Sequence, residues 1–199
     1  MSLEPSIACD PTAFTPENRL DKAALRRSLL ALRRGIHDQQ RREWDAALCE
    51  QVLAWLDAQQ IASLGIYWPM AGEPDLRALY ATLAERGMAL ALPRVTAPDA
   101  PLQFAHWAPH HELVKGAMGV SNHAEPQLVE RPAALLIPCV GFNAARYRLG
   151  YGGGYYDRTL AAPPRPQTVG IAYRCLAAEF AAAPHDVALD VIVTESGVL

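Results

Sequence analysis

The stretch that decides the fold is Leu135–Leu160, LLIPCVGFNAARYRLGYGGGYYDRTL. Its apolar opening, extended back to Ala133, reads as a buried strand over Ala133–Val140. Periodicity is then lost in a loop. Four glycines follow within five positions (Gly150, Gly152, Gly153, Gly154), and the residues after them read as a helix to about Leu160. Glycines this dense cost backbone entropy, and what they offer is close approach of the main chain to another group. A helix starting at such a loop has unpaired N–H donors and a positive dipole end, which suits a phosphate. Arg148 and Arg158 flank the loop with fixed positive charge. Taken alone, the glycines serve equally well as plain turns. They form no Walker A loop, because no Gly-Lys-Ser/Thr closes them. They also fail the dinucleotide fingerprint, because Tyr155 stands where the third glycine belongs.

Outward from this unit, strands and helices alternate. Toward the N-terminus, Thr15-Pro16-Glu17 signals a helix start. Leu25, Leu29, Leu32 and Ile36 then mark one apolar face. Lys22 and Arg26, four apart, project from one side of that helix, a spacing that by itself reads first as a solvated face. A second helix is expected over Asp38–Gln59, with Trp44, Leu48, Val52 and Trp55 buried. Ile61–Trp68 reads as a strand ended by Pro69. A helix is expected from Pro74 to Arg86, stopped by Gly87. Glu73 falls at the carboxyl end of that strand, where it either favours the helix N-terminus or faces a ligand. Met88–Leu92 reads as a strand and Leu102–Trp107 as an edge strand. Beyond the glycine loop follow a strand at Thr168–Ala172, a short helical piece around Ala177–Ala183, and a last strand at Val191–Thr194. The pattern is α/β with a mostly parallel sheet, in one domain over residues 15–199 after a disordered tail of residues 1–14.

Composition excludes several classes. A net charge of −3 over 199 residues gives no overall basic character for nucleic acid. No apolar run reaches the roughly 18 residues of a membrane span, and the N-terminal residues lack the basic start and apolar core of a signal peptide. Cys9, Cys49, Cys139 and Cys175 lie far apart with no Cys-x-x-Cys pair. They read as free thiols of a reducing cytosol, packing as small apolar groups. His106, His110 and His111 have no Cys or carboxylate partner that would complete a zinc set, and read as loop residues.

Gly141-Phe142 followed by Arg148-Leu149-Gly150-Tyr151-Gly152-Gly153-Gly154-Tyr155-Tyr156-Asp157-Arg158 resembles the signature of the 5-formyltetrahydrofolate cyclo-ligase (5,10-methenyltetrahydrofolate synthetase) family. The resemblance runs from about Leu20 to the C-terminus. It implies a single-domain, three-layer α/β/α sandwich with a Rossmann-like sheet, of the type shared with ribose-5-phosphate isomerase and CoA transferases. It also implies a cytoplasmic, monomeric ligase with ATP as co-substrate, Mg²⁺ as metal and 5-formyltetrahydrofolate as substrate. In that reading Lys22 and Arg26 match the family's Lys-x-x-x-Arg pair and bind ATP phosphates, together with Arg148 to Tyr156. Arg148 and Tyr155 are catalytic. Glu73, in its Pro-x-x-x-Glu context, binds the folate with Tyr151 to Tyr155, and Trp107 supplies the pocket's aromatic ring. Asp157 and Asp186 hold Mg²⁺, with Asp190 as the competitor to Asp186.

Three positions depart from the family pattern. Asn143 and Arg146 stand where Asp and Gly are common, leaving Arg146 either as a further phosphate contact or in solvent. Leu176 replaces a glutamine of the folate pocket. A rival from another class is a regulator on the same fold that binds nucleotide or folate without turnover. A dehydrogenase fails on the fingerprint and on the missing acidic residue after an early strand.

Overall fold

The computed structural model of the chain describes residues 22–115, 121–123 and 126–199. The expected tail (residues 1–14) and the helix start at Thr15-Pro16 lie outside the described residues. Helix α1 is described over Lys22–Arg34 and α2 over Asp38–Gln59, followed by strand β1, Ser63–Gly65. Helix α3, Arg77–Glu85, leads into β2, Ala89–Arg94. Then come β3 (Gln103–Trp107), β4 (Leu113–Lys115), β5 (Ser121–His123) and β6 (Leu128–Val129). The motif region supplies β7 (Ala134–Pro138), β8 (Gly141–Phe142), β9 (Arg148–Leu149) and α4 (Tyr155–Ala161). The chain closes with β10 (Gln167–Ile171), β11 (Val191–Thr194) and β12 (Gly197–Val198).

Eight strands form one sheet in the order β12-β11-β10-β7-β1-β2-β3-β6. The five from β11 to β2 are mutually parallel, and β12 and β3 run antiparallel at either side. Parallel strands are covered on both faces, so consecutive residues are buried in opposite directions. Leu136 joins the core that takes Leu25, Leu48, Val52 and Leu79 from α1, α2 and α3. Its neighbours Leu135 and Ile137 join the second core with Leu160 of α4. Helices on both faces make the three layers.

Most expected elements are present with trimmed ends. The strand expected over Ile61–Trp68 pairs only over Ser63–Gly65, and α3 starts three residues after Pro74. The helical piece expected at Ala177–Ala183 does not form. A single 3-10 turn at Arg174–Leu176 comes instead, after which Ala178 N–H bonds to the Phe142 carbonyl, so this segment spends its backbone donor on the β8 strand. On α1 the buried stripe is Leu25, Leu29 and Arg33, whereas Leu32 is 39% exposed. The period of four continues onto an arginine rather than shifting to the next leucine.

The order of strands reverses at β1, whose neighbours are β2 on one side and β7 on the other. Such a switch point opens a crevice at the carboxyl ends of the strands. Tyr67 and Trp68 after β1, Pro93 at the end of β2 and Pro138 at the end of β7 all line one cleft there, of about 470 Å³.

Candidate functional site

Helix α1 runs along this cleft. Lys22, Arg26, Leu29 and Arg33 follow the spacing i, i+4, i+7, i+11, so they form one stripe about 16 Å long. Lys22 and Arg26 line the cleft. Lys22 Nζ pairs with Asp186 Oδ2 at 2.5 Å. Arg26 Nε donates to the Gly150 carbonyl at 2.6 Å and forms no ion pair among the described residues, which fastens the helix to the glycine loop and leaves a positive charge uncompensated.

The glycine loop forms the opposite wall. β8 and β9 pair as a tight hairpin, and Asn143 Oδ1 accepts from the N–H groups of Ala145 and Tyr147 in its turn. This hairpin delivers Arg148 and Leu149 to the cleft, and Gly150 to Asp157 continue the lining. Gly152 (φ 100°) and Gly154 (φ 63°) take left-handed backbone that a side chain resists. They let the chain reverse into α4 with Gly154 as its N-cap. Because α4 has only seven residues, its dipole adds little beside the side-chain cations.

Every tyrosine of the loop carries a cation over its ring: Arg33 over Tyr151, Arg158 over Tyr155 and Arg148 over Tyr156, at 5.3–5.8 Å from the centroids. Arg148 is nearly buried and pairs with Asp157 at 2.8 Å, while its second terminal nitrogen, Nη1, is buried without a partner among the described residues. A buried charged donor without a partner is costly, and an incoming anionic oxygen is the group that satisfies it. Arg158, expected beside Arg148 as a flank of the site, turns away: it donates to the Gly153 carbonyl and pairs with Asp99.

Asp157 and Asp186 are brought to the same cleft. Burial acts to raise the Asp186 carboxyl, but the Lys22 ammonium and the Ala183 N–H outweigh it and hold the group below its ordinary value. Asp190, the competing residue, lies elsewhere. It accepts from the Thr168 N–H and hydroxyl and from Arg165, where it joins β10 to the start of β11. Among the described residues no group of three His, Cys, Asp or Glu could hold a metal ion. The two carboxylates each keep one oxygen loosely engaged: Asp157 Oδ1 is 3.3 Å from Val187 N, and Asp186 Oδ1 is 3.8 Å from His185 Nε2. Hard oxygen donors of this number suit a Mg²⁺ that brings phosphate oxygens and waters, not one caged by protein alone.

At the far end of the cleft Glu73 is 4% exposed. Its Oε1 accepts from the Tyr151 hydroxyl at 2.7 Å and its Oε2 from Met70 N–H at 3.0 Å. Burial raises its carboxyl above the ordinary value, with Tyr151, Met70 and Arg33 partly offsetting that rise. The aromatic ring here is Trp68, which lines the cleft. Trp107, the tryptophan expected in the pocket, is 5% exposed and packs behind it against Trp68 and Tyr80, at ring separations of 6.1 and 6.2 Å. Its strand pairs Trp107 with Leu90 of β2 and turns the indole into the core that α3 covers.

The departures from the family pattern fall away from the ligand space. Arg146 is not a lining residue: it is exposed, as the solvent-facing alternative has it, with its Nε bonded to the Leu189 carbonyl. Leu176 is wholly buried in the core. Burial pushes the thiols of Cys49 and Cys139 up to about 11 and about 12, which suits packing groups rather than nucleophiles. Two residues had no role assigned from sequence. Trp68 was legible only as the end of a strand, and Arg33 has as its one signal its phase with Leu25 and Leu29.

The fold and cleft define an α/β protein with a glycine loop, flanked by arginine and lysine side chains, at the switch point of its sheet. Residues 18–195 match the 5-formyltetrahydrofolate cyclo-ligase family, and the chain belongs to it. The 5-formyltetrahydrofolate cyclo-ligase of Mycolicibacterium smegmatis is 33% identical over 87% of this chain and 93% of that protein. Two solved structures of 5,10-methenyltetrahydrofolate synthetases superpose on it, each at 28% identity. The Mycoplasma pneumoniae protein has a TM-score of 0.75 over 88% of this chain and 99% of its own. That of Aquifex aeolicus has 0.77 over 89% and 91%. No helix among the described residues is long and apolar enough to cross a membrane.

Proposed function

We propose that the protein converts 5-formyltetrahydrofolate to 5,10-methenyltetrahydrofolate at the expense of ATP, releasing ADP and phosphate. One observation carries the reading. Lys22, Arg26, Glu73, Arg148 to Asp157 and Asp186, separated by up to 164 positions in sequence, line a single cleft. They are the residue types that the chemistry requires.

The terminal phosphoryl group of ATP passes to the formyl oxygen, which becomes a leaving group. N10 then attacks the formyl carbon, phosphate departs with that oxygen, and loss of the N10 proton leaves the methenyl bridge. The protein has little covalent work, so rate comes from alignment and from neutralising charge. Arg26, the cation without a carboxylate partner, and the idle Nη1 of Arg148 meet phosphate oxygens. Lys22 turns from Asp186 toward them. Tyr155, with Arg158 behind its ring, stands with Arg148 beside the reacting atoms. Glu73, Tyr151 and Trp68 hold the folate. Mg²⁺ supplies further neutralisation of phosphate charge when bound, and Asp157 and Asp186 are the residues that would hold it. The thiols of Cys49 and Cys139, which form no disulfide, suit a reducing, cytoplasmic setting.

The test is formation of the methenyl chromophore in a mixture of protein, 5-formyltetrahydrofolate, ATP and Mg²⁺, with each component omitted in turn. Product only in the complete mixture is expected. Binding of both ligands without product would instead make the protein a non-catalytic binder.

A further inference from the structure

Arg33 is fully buried, with none of its surface exposed. A buried arginine is normally paired with a carboxylate, yet Arg33 forms no ion pair among the described residues. Its Nη2 donates to the Tyr151 hydroxyl at 2.6 Å and to the Ala71 carbonyl at 3.1 Å. The Tyr151 hydroxyl in turn donates to Glu73 Oε1 at 2.7 Å. Glu73 Oε2 accepts from Met70 N–H, and Glu73 N–H bonds to the Met70 carbonyl. The chain between them, at Ala71 (φ 51°) and Gly72 (φ 78°), is left-handed. These contacts close a ring from α1 through the glycine loop to Glu73 and back through the 69–73 turn. Arg33 does not line the cleft, whereas Tyr151 and Glu73 do.

Two further donors of the guanidinium, Nε and Nη1, are buried without partners among the described residues. An arginine kept for stability would have them satisfied, since replacing an imperfectly paired buried charge with an apolar residue is often neutral or stabilising. A single side chain that fixes both the turn carrying Glu73 and the hydroxyl that orients it has a different use.

We propose that Arg33 is a positioning residue for the folate half of the cleft: acting through the Tyr151 hydroxyl and the Ala71 carbonyl, it aims the Glu73 carboxylate at the substrate. This rests on the reading of Glu73 and Tyr151 as folate-binding residues. The cation–π stacking of Arg33 on the Tyr151 ring holds the tyrosine in the same orientation from its face.

The experiment compares Arg33→Met, Arg33→Lys, Tyr151→Phe, Glu73→Gln and the double variant Arg33→Met/Tyr151→Phe. It reads KM for 5-formyltetrahydrofolate, KM for ATP, kcat and Tm. Arg33→Met should raise the folate KM tenfold or more, leave the ATP KM within twofold, and keep Tm within a few degrees of the parent. Arg33→Lys, which can reach one partner but not both, should fall between them. The double variant should be no worse than the more impaired single variant, because both break one ring. An unchanged folate KM in Arg33→Met or Arg33→Lys, with Tyr151→Phe and Glu73→Gln impaired, overturns the role of Arg33 alone. A collapse of Tm, or equal losses for both substrates, makes Arg33 structural and also overturns it. No effect of Glu73→Gln and Tyr151→Phe on the folate KM overturns the underlying reading of the site instead.

Discussion

The two ends of the cleft, joined by one stripe of α1, are built on opposite plans. At the Lys22 end, cations and carboxylates form pairs, Lys22 with Asp186 partly exposed and Arg148 with Asp157 more deeply set, with Arg26 uncompensated between them. At the Arg33 end the polar groups are sealed in a ring through Tyr151, Glu73 and the 69–73 turn. A partly exposed pair such as Lys22 with Asp186 is worth little and exchanges readily, and Arg26 and the Nη1 of Arg148 have no anion to give up, so the first end can take a phosphate. Buried groups closed into a ring do not move cheaply, even with two donors of Arg33 left unpaired, so the second end presents a fixed template. A highly charged co-substrate that enters and leaves with each turnover fits the first plan, and a substrate that has to be held in one orientation fits the second.

The largest effect is expected where the two plans meet. Arg148→Met removes a cation of the phosphate end and leaves the half-buried Asp157 without its partner, so kcat should fall by about 10²–10³. The cost in stability should stay below the roughly 3–5 kcal/mol of a fully buried pair, because Asp157 keeps some contact with water. Steady-state kinetics and a denaturant titration check both parts. An Arg148→Met protein with parental kcat would remove the charge from the account of the first end.

A middling effect concerns acid. The Asp186 carboxyl lies lower in the folded protein than its ordinary value near 3.8, with Lys22 the main lowering partner. Its contribution is therefore complete above about pH 4 and is lost as pH falls through the folded value. Asp186→Asn should lower Tm by a few degrees at pH 5 and converge on the parent at the lowest pH where both fold. Parallel Tm curves across that range would contradict the sign.

The smallest effect is expected at Trp107, which lines neither end. Trp107→Phe keeps a ring against Trp68 and Tyr80, so both KM values should stay within twofold, with a drop in Tm from lost packing the only clear change. A folate KM raised tenfold would return Trp107 to the pocket.

Much of this arrangement was legible in the order of residues, and the failures have physical causes. Asp38–Gln59 reads as a helix from its apolar spacing alone and is one over that span. The glycine loop is legible because few local structures demand so many glycines beside fixed charges. The segment 177–183 was misread because alanine propensity, a weak prior, was overridden by a hydrogen bond to a strand 36 positions earlier, Ala178 to Phe142. Arg33 was invisible for the reason that makes it interesting: hydrophobic periodicity counts apolar residues, and the stripe continued onto a charge. Trp107 was expected in the pocket and Trp68 lines it instead, since which of two neighbouring tryptophans faces the cleft depends on pairing between strands.

The division of labour between the two ends is tested most directly by titrating ATP and 5-formyltetrahydrofolate separately into the parent, Lys22→Ala and Tyr151→Phe proteins by calorimetry. The account predicts a crossed pattern. Lys22→Ala should weaken ATP binding about 5–30-fold, the worth of one charge-assisted contact, with folate affinity unchanged, and Tyr151→Phe should do the reverse. Equal weakening of both ligands by either variant would contradict it, because the cleft would then be one undivided site.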